Sequence, residues 1–394
     1  MQNLQGSGSS GNNVFEFKAA KNISINGVID NFGGGEGQIL LDAKGNVDIN
    51  STIDANGGAV TILGHDISIS NATTSILSGQ STSKNNLVRI TAKGDLEFDG
   101  GRLELFGDTD IVINANKFIN NTGSNVFAVN AASADSVQWS IALPGLTNGR
   151  KQIHTFGGLK SNNPAKFGSG GNEATPKNEY HFLDKPTLTV KPNNDSKIYG
   201  EVSDSLFKGI EISGLVDASK YGGVFTQDTI VTSVIQDGLT LESSGSKAKA
   251  GVGDYNISAQ GLKSQNGYEF DYSANGKLTV NQRRIELTAG DQTKVYGEVF
   301  ELVGEKFTLK DLDGDGDSVL PNGEEVKSLN LNSLTNKDTS TFASVDDYPN
   351  EIQVTGIKEV ENGFDVNNYT INYVSGNLTI SPREITLKAD DQEK

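Results

Sequence analysis

Acidic oxygens at alternate positions beside a flexible glycine are what a hard divalent cation asks of a short loop. The chain offers them in Asp311-Leu-Asp-Gly-Asp-Gly-Asp317. Asp311, Asp313, Asp315 and Asp317 are therefore candidate calcium ligands, with Gly316 permitting the tight turn. An EF-hand would place a bidentate Glu twelfth, but Asn322 stands there and the glutamate comes later, at Glu324. The plain alternative is an acidic, solvated loop. A second carboxylate set, Asp95, Glu97, Asp99 and Glu104, alternates along one stretch and would have to work as acid and base in sugar cleavage. Beside it stand Arg102 and few aromatics, so it reads as the wet face of a strand. His65, His154 and His181 are scattered, with no pair at zinc-ligand spacing. No Gly-x-Ser-x-Gly elbow precedes a helix. No catalytic or cofactor-binding residue is assigned, and the expectation is that the protein is not an enzyme. Tyr199 and Tyr296 each precede a glycine at matching places, and such tyrosines read as packing residues whose hydroxyls tie down a turn.

The elements that must position these residues are strands. Asn22-Ile-Ser-Ile25, Asn46-Val-Asp-Ile49, Asp66-Ile-Ser-Ile69, Asp95-Leu-Glu-Phe98 and Asp110-Ile-Val-Ile113 each alternate apolar and polar residues after a polar start. That period of two marks a strand with one buried face. Glycine clusters such as Gly33-Gly-Gly35, Gly57-Gly58 and Gly100-Gly101 punctuate them as turns. The recurrence, roughly once per 20 residues, predicts the coils of a short right-handed parallel β-helix over residues 1–133. From 134 to 184 the alternation lapses, and Trp139, Phe156, Phe167, Tyr180 and Phe182 supply the aromatic surface of a cap and connector.

A longer repeat follows. Leu188-Thr-Val-Lys-Pro-Asn-Asn-Asp-Ser-Lys-Ile-Tyr-Gly-Glu201 matches Ile285-Glu-Leu-Thr-Ala-Gly-Asp-Gln-Thr-Lys-Val-Tyr-Gly-Glu298, and Ile385-Thr-Leu-Lys-Ala-Asp-Asp-Gln-Glu-Lys394 opens in the same way. About 100 residues of short alternating strands is the size of an immunoglobulin-like sandwich. The pattern predicts one module over 185–283, a second over 284–383 and the start of a third over 384–394. The fold class is thus all-β, a β-helix followed by tandem Ig-like sandwiches joined by short linkers such as Asn281-Gln-Arg-Arg284. The whole is expected to be a monomeric rod and a piece of something longer.

Composition narrows the partners. Lys and Arg total 33 against 50 Asp and Glu, a net charge of −17, which argues against a nucleic-acid partner. With no cysteine there are no disulfides and no thiolate sites. No apolar run reaches the roughly 18 residues of a transmembrane helix. The acid excess makes calcium a natural bridge to acidic polysaccharide.

The Lys-x-Tyr-Gly-Glu openings at Lys197 and Lys294, with the Asn-Tyr and Gly-x-Leu-Thr-Val/Ile endings, resemble MBG modules, bacterial Ig-like repeats. The coils and the Trp-containing connector resemble exported adhesins of the filamentous haemagglutinin type, secreted by two-partner systems. The resemblance implies a secreted or outer-membrane-surface adhesin segment, acting in cell-cell, host-cell or biofilm-matrix attachment. Its partners would be a polysaccharide, a host glycan or a protein receptor, with an outer-membrane secretion partner for the parent protein. A passive stalk is the alternative, and a β-helix lyase or glycosidase the weakest reading.

Overall fold

In the computed structural model the described residues are 14–30, 38–55, 58–71, 75–78, 86–105, 109–129, 138–148, 151–152, 154–170, 177–204, 207–314 and 318–390. They form two compact units, one of Met1–Thr189, Ile212–Gly238 and Gly261–Asp271, the other of Val190–Glu211, Leu239–Gln260 and Tyr272–Lys394.

The first unit is a stack of parallel strands. Val14–Ala19, Gln38–Ala43, Val60–Gly64, the first half of Asn86–Asp99, Thr109–Asn120, Gln138–Leu143 and Glu179–Phe182 lie side by side in one parallel sheet. After a bend, Ile23–Ile25, Val47–Ile49, Ile67–Ser70 and the second half of Asn86–Asp99 stack in the same sense. Ile29–Asp30, Ile53–Asp54, Ser75–Ser78, Arg102–Leu105 and Phe127–Val129 make a separate parallel sheet. Parallel pairing sets like on like, so apolar columns run through the coils. Leu41, Ile62, Ile90, Ile113, Ile141 and Tyr180 form one such column, each fully buried. Each aliphatic member contributes about 1.5–3 kcal/mol of burial.

The polar starts form a ladder of their own. The Asn46 N–H donates to Asn22 Oδ1 at 2.9 Å, and the Asp95 N–H to Asp66 Oδ1 at 3.0 Å. Hydrogen bonding from the Asp95 backbone holds the Asp66 carboxyl below its usual range. The fifth signature, at Asp110, belongs elsewhere: Ile113 aligns with Ile90 in the first sheet, and the partner of Asp95 is Lys117. Alternation is the same on every face of a coil, so it does not say which face a strand occupies.

The stack also runs past residue 133. Gln138–Leu143 and Glu179–Phe182 continue the parallel sheet through the stretch expected to cap it. The aliphatic column gives way there to rings, with Trp139 and Phe156 at 5.0 and 4.9 Å from Tyr180. Phe225 and Tyr268 extend the aromatic packing onto Phe182 and Phe167.

In the second unit, the described residues of 284–381 form a two-sheet module. Arg283–Ala289 sits between Phe307–Asp311, antiparallel, and Tyr369–Val374, parallel. The other sheet runs Gln292–Val295, Gly376–Ser381, Asp346–Glu361, Glu325–Ser333. Asp195–Ile198, Gly276–Asn281, Gly253–Gln260 and Thr240–Glu242 build the corresponding four-stranded sheet of the preceding repeat. That repeat, expected as one body over 185–283, is divided. Its residues 212–238 and 261–271 belong to the first unit, where Thr187–Thr189 pairs in parallel with Glu269–Asp271.

Candidate functional site

The Lys-x-Tyr-Gly-Glu motif begins with a buried lysine. Lys197 Nζ donates to the carbonyls of Glu201 and Lys247 at 2.7 and 2.5 Å. Lys294 Nζ repeats this on Glu298, Asp338 and Ser340 at 3.3, 2.9 and 2.7 Å. Burial lowers both lysine pKa values. Each ammonium thus closes its own turn and pins a loop crossing some 50 residues away. The sequence marks both lysines as the start of the repeated opening but gives no sign of the carbonyls they hold, which lie in distant loops.

The tyrosines diverge. Tyr199 is 3% exposed and Tyr296 40%. Tyr199 lies in an apolar cluster with Val280, Ile285, Leu287, Leu320, Phe364 and Tyr369, so the opening of one repeat is buried in the core of the next. Its hydroxyl donates to Glu324 Oε1, and the Tyr369 hydroxyl donates to Oε2 of the same carboxylate at 2.6 Å. Burial first, and the Glu324 carboxylate second, push the Tyr199 phenol up to about 12 and the Tyr369 phenol further. Gly200, at φ +89°, has the Pro321 ring 2.4 Å from where a Cβ would stand. Only glycine tolerates both the backbone conformation and that approach.

The linker arginines complete the junction. Arg283 donates from Nε and Nη2 to Asp311 Oδ2 at 2.8 and 2.5 Å, and from Nη1 to the Tyr199 carbonyl at 3.1 Å. Burial opposes the Arg283 charge, but Asp311 outweighs it and the guanidinium pKa rises. Arg284 Nε donates to Asp313 Oδ1 at 2.8 Å and its backbone N–H to Oδ2 at 2.7 Å. Hydrogen bonding from Arg284 holds the Asp313 carboxyl below its ordinary value. Two of the four candidate calcium ligands are therefore engaged by arginine. Asp311 Oδ1 also accepts the N–H groups of Asp313 and Gly314 at 3.1 Å, as a turn-capping aspartate does. Asp315 and Asp317 lie outside the described residues. Among the described residues no group of three or more His, Cys, Asp or Glu is placed to hold a metal ion.

The other candidates lie apart from this junction. Asp95 faces Lys117 at 3.5 Å, Glu97 accepts from Asn121 at 2.7 Å, and Glu104 pairs with Arg102. These are cross-coil and same-strand contacts on the wet face of the stack. His65 stands beside Asp66 at 3.2 Å, exposed. His154 is buried, donating from Nε2 to the Gly145 carbonyl and accepting the Phe118 N–H on Nδ1. Burial lowers its pKa, so it is neutral. His181 is held between Ser169 Oγ, 3.0 Å from Nδ1, and Glu179 Oε1, 3.3 Å from Nε2. Sequence reading missed this trio, because Ser169 and His181 meet only when the turn after Lys166–Phe167 folds against Glu179–Phe182. The Ser169 N–H bonds to the Phe182 carbonyl at 3.3 Å, so the trio fastens that turn to the strand.

No helix among the described residues is long and apolar enough to cross a membrane. Residues 188–279 match the family model of the MBG domain, YGX type, a stretch that holds Tyr199-Gly200-Glu201. No curated protein and no solved structure matches the chain. The chain is thus similar, over its first long repeat, to the MBG modules, a kind of bacterial Ig-like repeat.

Proposed function

We propose that this segment serves attachment in a bacterial surface adhesin of the filamentous haemagglutinin type, exported with an outer-membrane secretion partner and acting on polysaccharide, host glycan or a protein receptor. What supports the reading is the junction around Glu324. There the residues that define the repeat are spent on fixing one module to the next rather than on lining a catalytic cleft. That investment suits a protein that carries load between a cell and what it holds. The same observation favours a second reading, in which this segment is the spacer and recognition lies elsewhere in the parent protein.

Retention of the chain on a panel of immobilised bacterial polysaccharides and host glycans tests the proposal. Saturable retention on one glycan class makes this the binding part. Absence of retention across the panel overturns direct attachment and leaves the spacer. Because Arg283 and Arg284 already neutralise Asp311 and Asp313, retention and thermal midpoint are both expected to be unchanged by millimolar calcium or by EDTA.

A further inference from the structure

The backbone around Tyr296 repeats that around Tyr199 almost bond for bond. The Tyr199 N–H donates to the Asn281 carbonyl at 2.9 Å, and the Tyr296 N–H to Ser381 at 3.0 Å. Both following turns close at 3.1 Å, Glu201 to Ile198 and Glu298 to Val295. Gly200 and Gly297 have φ of +89° and +87°. Arg283 Nη1 lies 3.3 Å from where a Gly200 Cβ would stand, and Arg383 Nη1 lies 3.2 Å from the same point at Gly297.

What differs is the other side of each junction. Gly200 also meets Pro321, Arg283 meets Asp311, and Tyr199 meets Glu324. Among the described residues, at the second copy only Arg383 comes within 4 Å of where a Gly297 Cβ would stand, and Arg383 makes no ion pair. Ile285 and Leu287 are fully buried, whereas Ile385 and Leu387, at the matching positions of the next opening, are 78% and 89% exposed.

We propose that the Tyr296 face is a docking surface for a further module of the same kind as residues 284–383. Such a module carries all three missing groups at fixed places: a carboxylate like Glu324 for the Tyr296 hydroxyl, an aspartate like Asp311 for Arg383, and a proline ring like Pro321 against Gly297. Its first strand takes Ile385 and Leu387 into its core. The junction is therefore a unit of assembly that can be repeated, with the second half of each interface preformed on the module before it. This holds whether or not the segment itself binds a glycan.

The test is a chain in which a second copy of residues 284–383 follows Arg383 directly, compared with one carrying a short Gly-Ser insertion at that point. Hydroxyl-radical footprinting read by mass spectrometry reports the Tyr296 side chain. In the direct fusion its labelling rate is expected to fall on the order of tenfold, as the fall from 40% to 3% exposure between Tyr296 and Tyr199 suggests, and to return when Asp311→Asn and Glu324→Gln are placed in the appended copy alone. Equal labelling in the direct and inserted fusions overturns the proposal. So does an appended copy that folds behind the insertion, by hydrogen exchange, but not when fused directly.

Discussion

Glu324 is the residue on which the second unit turns. It is 5% exposed and accepts two phenolic hydrogen bonds, one from a tyrosine 125 residues earlier in the chain and one from a tyrosine 45 residues later. A buried carboxylate is stabilised by such charge-assisted bonds and costs heavily without them. Glu324→Gln keeps the size but turns one acceptor oxygen into a donor facing a hydroxyl. It is expected to destabilise the fold by about 2 kcal/mol, and Tyr199→Phe by about 1 kcal/mol. The double variant should lose less than the sum, since both remove the same bond. Urea unfolding of the four chains measures this, and strict additivity would show that the two groups do not act together. The sequence pointed to Tyr199 as a packing residue but not to its partner. A hydrogen bond across 125 residues leaves no periodic trace, and Glu324 looked only like a displaced calcium ligand.

At the scale of the element, alternation made the strands legible, and the 97-residue offset between Tyr199 and Tyr296 made the modules legible. It did not fix which face of a coil each strand occupies, because Asp110 and Asp95 begin the same pattern on different sheets. Nor did it show that the stack continues to Phe182, since alternation breaks where rings replace aliphatic residues and both faces of the strand Glu179–Phe182 are buried. His154 belongs to that aromatic stretch, beside Phe156 and Phe182. Burial lowers its folded pKa below the unfolded value of 6.5. The unfolded chain then binds the proton more readily, so the contribution is full above about pH 6.5 and is lost as pH falls below it. Thermal melts between pH 7.5 and roughly 5 are expected to show a midpoint falling with acidity. In His154→Gln, whose amide can both accept from Phe118 and donate to Gly145, that fall should flatten. Identical slopes in the two proteins would assign the dependence to other groups.

For the whole molecule, the sequence implies three bodies, a β-helix and two sandwiches, whereas the contacts divide it into two. The repeat over 185–283 has one sheet whose strands belong with residues 272–394, while its segments 212–238 and 261–271 belong with the coils. Chain order cannot show this, because strands adjacent in sequence are assigned to different units when their long-range partners differ. A module so divided has no transition of its own to make. Calorimetric unfolding is therefore expected to resolve into two transitions rather than three. Glu324→Gln should lower one of them and leave the other in place, and His154→Gln should alter the pH dependence of that other one alone. A third transition would restore the first repeat as an independent domain. If both substitutions moved the same transition, the two units would be one cooperative body, and the junction at Glu324 would stabilise the coils as well as the sandwich.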